Sequence, residues 1–108
     1  MKVLFVCSRN RLRSPTAEEI FATVPGWEVQ SAGVSPDAEV RLAAEMVEWA
    51  DVIFVMEEIH RAKLNRQFGS RLRAKRIVCL NISDEYEFMQ PELIELLKRR
   101  VSLTLSFE

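Results

Sequence analysis

Several things are scarce in this 108-residue sequence, and each scarcity closes off a class of protein. With one histidine, His60, and two cysteines, Cys7 and Cys79, it has too few ligands for a protein-built zinc site. The cysteines form no C-x-x-C pair and no disulfide framework, so chemistry without a metal or other cofactor is expected. Long apolar runs are absent: Val3 to Val6 is far too short for a signal peptide or a membrane span, and arginines follow it closely. A strand in a cytoplasmic protein with no membrane contact is the expectation. Charge of either sign is not in excess, since 15 Lys and Arg face 16 Asp and Glu, and nothing in that balance marks a nucleic-acid partner. No linker, repeat or low-complexity segment divides the chain. A single domain over residues 1–108 is expected, and a monomer.

What is present is a regular alternation. Lys2 to Val6 reads as a first strand, continuously apolar and therefore buried on both faces. Ser14 reads as a helix N-cap with Pro15 at the first helical position, and Ala17, Ile20, Phe21 and Val24 form one buried helix face that Pro25-Gly26 stops. Trp27 to Ala32 is a second strand, and Val40, Ala43, Ala44 and Val47 mark a second helix. Asp51 to Met56 is a third strand, followed by a helix from Glu57 to Phe68. A fourth strand spans Arg76 to Ile82, with Cys79 buried inside it. Pro91 opens a last helix whose apolar face is Leu93, Leu96, Leu97 and Val101. This order predicts an α/β domain with a four-stranded parallel sheet and helices on both faces. Ligands bind such sheets at the carboxyl ends of the strands, where the loop after Val6 and the stretch after Ile82 both fall.

The stretch VLFVCSRNRLRSPTAE, Val3 to Glu18, carries the chemistry. A strand running through a short loop into a helix N-terminus makes an anion site, because loop amides and the first helical N–H groups converge there. Cys7 stands at the mouth of that loop, where a thiolate is stabilised. Arg13, six residues on, offers a fork that grips two oxygens of a phosphate, which a lysine cannot. A nucleophilic cysteine attacking phosphorus is the reading. A buried structural cysteine is the plainer alternative for Cys7 alone, and Arg13, Ser14 and Pro15 weigh against it.

The segment Cys7-Ser-Arg-Asn-Arg-Leu-Arg13-Ser14-Pro15 resembles the C-x5-R-S-P loop of the low-molecular-weight protein tyrosine phosphatases, specifically a short branch known as predicted tyrosine phosphatases. Ser31-Ala32-Gly33 and Ala50 to Met56 also match. The resemblance implies a hydrolase working through a phosphocysteine intermediate on a phosphotyrosine protein or a small aryl phosphate. Ser8, Arg9, Asn10, Arg11, Leu12 and Ser14 would then surround the phosphate. Asn10 stands where the family has a loop-ordering asparagine, and the Ser14 hydroxyl is placed to donate to the Cys7 sulfur. The family's acid lies in an Asp-Pro-aromatic loop beyond the fourth strand. Here Ser83-Asp84-Glu85-Tyr86 lacks the proline, so Asp84 is the candidate acid, Glu85 the fallback, and Tyr86 a flank for the substrate ring.

Two departures stand out. Arg9 replaces a glycine, and Leu12 replaces a second cysteine that in many members protects the nucleophile. A shorter segment between Gly33 and Asp51 predicts an open pocket in which Arg9 and Arg11 meet anionic groups. A phosphate- or phosphoprotein-binding module without catalysis is a second reading. Arsenate reduction is a third, weakened because Cys79 is the sole other cysteine. The acid-free basic stretch Arg61 to Arg76 reads as a solvated face, or less favourably as a docking patch for an acidic partner. His60 reads as a surface residue, and Asp51 as a cap on the sheet edge away from the site.

Overall fold

The four strands β1 (Lys2–Cys7), β2 (Glu28–Gly33), β3 (Val52–Val55) and β4 (Arg76–Cys79) form one parallel sheet in the order β2-β1-β3-β4. The computed structural model describes residues 1–107. Register follows the chain closely: Lys2 faces Glu28 and Cys7 faces Gly33 across β1 and β2, while Val3 faces Val52 and Val6 faces Val55 across β1 and β3.

Helices α1 (Arg13–Phe21) and α4 (Pro91–Ser102) cover one face of the sheet, and α2 (Ala44–Trp49) and α3 (Glu58–Phe68) the other. A 3-10 turn over Gly69–Leu72 follows α3. Alternation along β1 explains its unbroken apolar run. Val3, Phe5 and Cys7 enter the core under α1 and α4, where Phe5 stacks between Phe21 and Phe54 at centroid distances of 5.4 and 5.3 Å. Leu4 and Val6 enter the core under α2 and α3. The expected double-faced parallel sheet is thus the fold observed, with each β–α–β crossover packing back on the sheet.

Boundaries differ from the expectation in places. The helix after the loop begins at Arg13 with Leu12 as N-cap, and no side chain caps it. Ser14 does not cap because its hydroxyl is spent elsewhere, on the Cys7 sulfur and the Ala32 carbonyl. α2 is only six residues long, and Val40 lies outside it, exposed. Cys79 is half-buried at the end of an edge strand rather than enclosed. His60 is the clearest correction, for it is fully buried.

Strand order decides where a ligand fits. The connection leaving β1 turns toward β2, and the one leaving β3 turns toward β4, so the carboxyl ends of β1 and β3 flank a crevice. Asp51 sits at the opposite edge, accepting the Lys2 N–H at 2.9 Å, as expected.

Candidate active site

The crevice holds the loop from Cys7 to Leu12, and its outer side is locked to the chain that follows β2. Val34, Ser35 and Glu39 donate their N–H groups to the carbonyls of Cys7, Ser8 and Arg9 at 3.0, 2.9 and 3.0 Å. Among the described residues, the N–H groups of Arg9, Asn10, Arg11 and Leu12 donate to no protein acceptor. Unpaired amides in a loop that leads into a helix N-terminus are the groups with which such a loop takes an anion. Gly33 makes the close approach possible: a Cβ there would lie 2.6 Å from the Ala38 Cβ and nearer still to the Ser8 carbonyl oxygen.

Inside the loop the polar side chains form one chain of bonds. Asn10 has a left-handed backbone (φ 57°). Its Nδ2 donates to Ser14 Oγ at 3.0 Å and to Ser31 Oγ at 2.9 Å, and Ser31 in turn donates to the Glu18 carboxylate. Ser14 Oγ lies 2.8 Å from Cys7 Sγ. Oγ accepts from Asn10 and also lies 3.5 Å from the Ala32 carbonyl; toward a Cys7 thiolate, which has no proton, Ser14 is the donor.

Arg13 is buried, with a side chain only 4% exposed. Its Nη1 donates to Glu57 Oε2 at 2.5 Å and to the Ile82 carbonyl at 2.8 Å, tying the loops after β1, β3 and β4 together. Glu57 caps α3 in a reciprocal box with His60: it accepts the His60 N–H while its own N–H donates to His60 Nδ1 at 3.0 Å. With Nδ1 an acceptor, the neutral ring carries its proton on Nε2, which faces Ser8 Oγ at 3.0 Å. Burial first, and the nearby Arg13 charge second, push His60 down to about 4, so the neutral form holds at pH 7. The Ser8 hydroxyl therefore accepts from His60 and keeps its own proton for the cleft.

The cleft above the loop has a volume of about 380 Å³ and is lined by Cys7, Ser8, Arg9, Arg11, Leu12, Arg13 and Asp84. Nucleophile, arginine and candidate acid thus share one cavity. Asn10 and Ser14 lie behind it as supports. Glu85 is exposed away from the lining, and Tyr86 is half-buried against the α1 and α4 core. Residues not foreseen as part of the site are Glu57 and His60. His60 shares a helix face with buried Leu64 four residues on, a spacing that marks an inward position. Glu57 follows β3 at the carboxyl edge, the position the fold rule favours. Among the described residues, no three His, Cys, Asp or Glu side chains group as metal ligands.

A family model described as low molecular weight phosphotyrosine protein phosphatase matches residues 2–50. Solved structures match over nearly the whole chain. The YwlE arginine phosphatase from Geobacillus stearothermophilus is 23% identical over 94% of this chain and 92% of that one, with a TM-score of 0.74. SP-PTP, a low molecular weight protein tyrosine phosphatase from Streptococcus pyogenes, is 16% identical over 97% and 93%, with a TM-score of 0.76. DARP, a drosophila arginine phosphatase, is 22% identical and covers 100% of both chains, with a TM-score of 0.72. The chain shares the fold of the low-molecular-weight phosphatases, and its first part, residues 2–50, matches their family model. No curated protein matches it by sequence. The stretch that matches the family model contains the loop and the segment clamping it, whereas Glu57, His60 and Asp84 all lie beyond it.

Proposed function

We propose that this protein is a member of the low-molecular-weight phosphatase family and a metal-independent cysteine phosphatase that hydrolyses phosphotyrosine or small aryl phosphate monoesters. One observation carries the reading: Cys7 Sγ, with the Ser14 hydroxyl at 2.8 Å, opens into the same cleft as Arg13, Asp84 and a ring of unpaired loop amides.

In the first step the Cys7 thiolate attacks phosphorus, forming the S–P bond as the bond from phosphorus to the leaving oxygen breaks. Asp84, as the carboxylic acid, gives its proton to that oxygen. Loop amides and the Arg13 guanidinium meet the three equatorial oxygens, where charge is spread in the transition state. Asp84, now a carboxylate, takes a proton from water as the water attacks phosphorus. The S–P bond then breaks and the thiolate returns, stabilised by the Ser14 hydroxyl.

Among solved relatives, some are named arginine and others tyrosine phosphatases. The rim of this cleft carries Arg9 and Arg11, half-exposed cations. Like charges at the mouth disfavour a phosphorylated guanidinium and favour an aryl or acidic substrate.

Hydrolysis of p-nitrophenyl phosphate in the presence of a chelator tests the reading. Wild type should turn over, Cys7→Ser should be inactive, and Asp84→Asn should be slowed by about 100-fold or more. A wild type inert under reducing conditions would leave a phosphate-binding module instead.

A further inference from the structure

The loop that surrounds the phosphate needs its amides and Arg13, but it needs no side chain at positions 9 and 11. Asn10, Arg13 and Ser14 turn inward and are buried. Arg9 and Arg11 turn the other way, onto the rim of the cleft, with side chains 59% and 50% exposed. Each guanidinium leans on a carboxylate of the segment after β2: Arg9 Nε lies 3.8 Å from Asp37 Oδ2, and Arg11 Nε lies 3.4 Å from Glu39 Oε1.

These pairs orient the guanidiniums without consuming them. Asp37 and Glu39 are 59% and 63% exposed, and pairs so wet hold their partners weakly. An Arg fork facing a carboxylate or phosphate makes two parallel hydrogen bonds, which a single contact through Nε does not. The backbone beneath is fixed, because the Glu39 N–H is bonded to the Arg9 carbonyl at 3.0 Å. Asp84 is the single carboxylate among the seven residues lining the cleft, against three arginines.

We propose that Arg9 and Arg11 form a second anion site at the cleft mouth, so that the preferred substrates are phosphomonoesters bearing a further carboxylate or phosphate beside the scissile group. This rests on the phosphatase reading for turnover, but the second site itself is a binding property. The ligand's second anion displaces Asp37 and Glu39 from the two guanidiniums while its phosphate fills the amide cradle.

The test uses phenyl phosphate, 4-carboxyphenyl phosphate and 1,4-phenylene bisphosphate. Binding to the Cys7→Ser protein is measured by calorimetry, and kcat/KM is measured with wild type. Both doubly anionic compounds should bind about tenfold more tightly than phenyl phosphate in low salt, and the advantage should shrink in about 0.5 M NaCl, where the screening length is about 4 Å. A larger gain for the carboxylate than for the second phosphate, or the reverse, names the group the rim recognises. In Arg9→Gln/Arg11→Gln on the Cys7→Ser background the ratio between compounds should fall to about one. The single variants, each checked for folding by circular dichroism, should give intermediate ratios.

Equal binding of all three compounds overturns the proposal, as does a preference that survives the double substitution. Preferential binding with no turnover by wild type upholds the second site and overturns the hydrolase reading alone. Turnover at equal kcat/KM with equal binding does the opposite.

Discussion

Ser14 Oγ lies 2.8 Å from the Cys7 sulfur and accepts from the Asn10 amide, so when the sulfur is a thiolate, which can only accept, the proton between the two is that of Ser14. A donor fixed in that direction stabilises sulfur most when it carries full negative charge, as attacking thiolate and as leaving group. Ser14→Ala should therefore lower kcat for p-nitrophenyl phosphate by at least about tenfold. Its signature is a pre-steady-state burst of p-nitrophenolate, since release of the thiolate from phosphocysteine becomes the slow step. A loss of activity with no burst would place the role of Ser14 in folding the loop instead.

Asn10 holds two separable roles. Its backbone is left-handed, which costs an ordinary residue about 1–2 kcal/mol, and its side chain makes two buried hydrogen bonds worth about 1 kcal/mol each. Asn10→Gly loses the bonds and keeps the backbone freedom, while Asn10→Ala loses both. Thermal unfolding should rank wild type above Gly and Gly above Ala. Reversal of the two variants would show that the backbone conformation is not what the position requires.

Acid should weaken the protein through His60. The folded protein holds this ring near 4, below the ordinary 6.5, so between those values the unfolded chain binds the extra proton. Stability from this group is complete above pH 6.5 and is lost as pH falls toward 4, by roughly 3 kcal/mol in all. Urea unfolding at pH 7 and pH 5 should show the loss in wild type and a smaller one in His60→Gln. Equal slopes in the two proteins would assign the acid sensitivity elsewhere.

Thr16 joins the two halves of the site. Its hydroxyl donates to the Leu12 carbonyl at 2.6 Å and accepts the N–H of Met89 at 3.0 Å, a residue with φ 61° that closes the segment carrying Asp84. Thr16→Val keeps the shape and cuts both bonds. A displaced acid matters most where the leaving group is basic. The loss in kcat/KM should be about tenfold for phenyl phosphate and clearly smaller for p-nitrophenyl phosphate. Equal losses would point to damage at the nucleophile loop.

Periodicity made the sheet and its layers legible, because a strand enclosed on both faces cannot disguise its composition. Cys7 and Arg13 were legible because the chemistry of an anion loop restricts which residues stand there. His60 was not. Its neighbours Glu58, Ile59 and Arg61 are exposed or half-exposed, and the partner that justifies burial, Ser8, lies 52 residues away. Of the two duties read for Ser14, the helix cap is not formed, whereas the contact with the Cys7 sulfur is. A serine ahead of a proline suggests a cap, and only the folded loop brings the Ala32 carbonyl within its reach. Gly33 shows its purpose only when Ser8 and Ala38 are seen to press on it.

The amino-terminal nitrogen bonds to the Gly26 carbonyl, and Phe107 packs edge-on against Phe21 and Trp27. Residues 1 and 107 thus both sit toward the edge where the strands begin, while Cys7 ends β1 roughly 17 Å further along. The cleft is thus clear of residues 1 and 107, and a bead or larger carrier attached through the amino terminus stands across the sheet from Cys7.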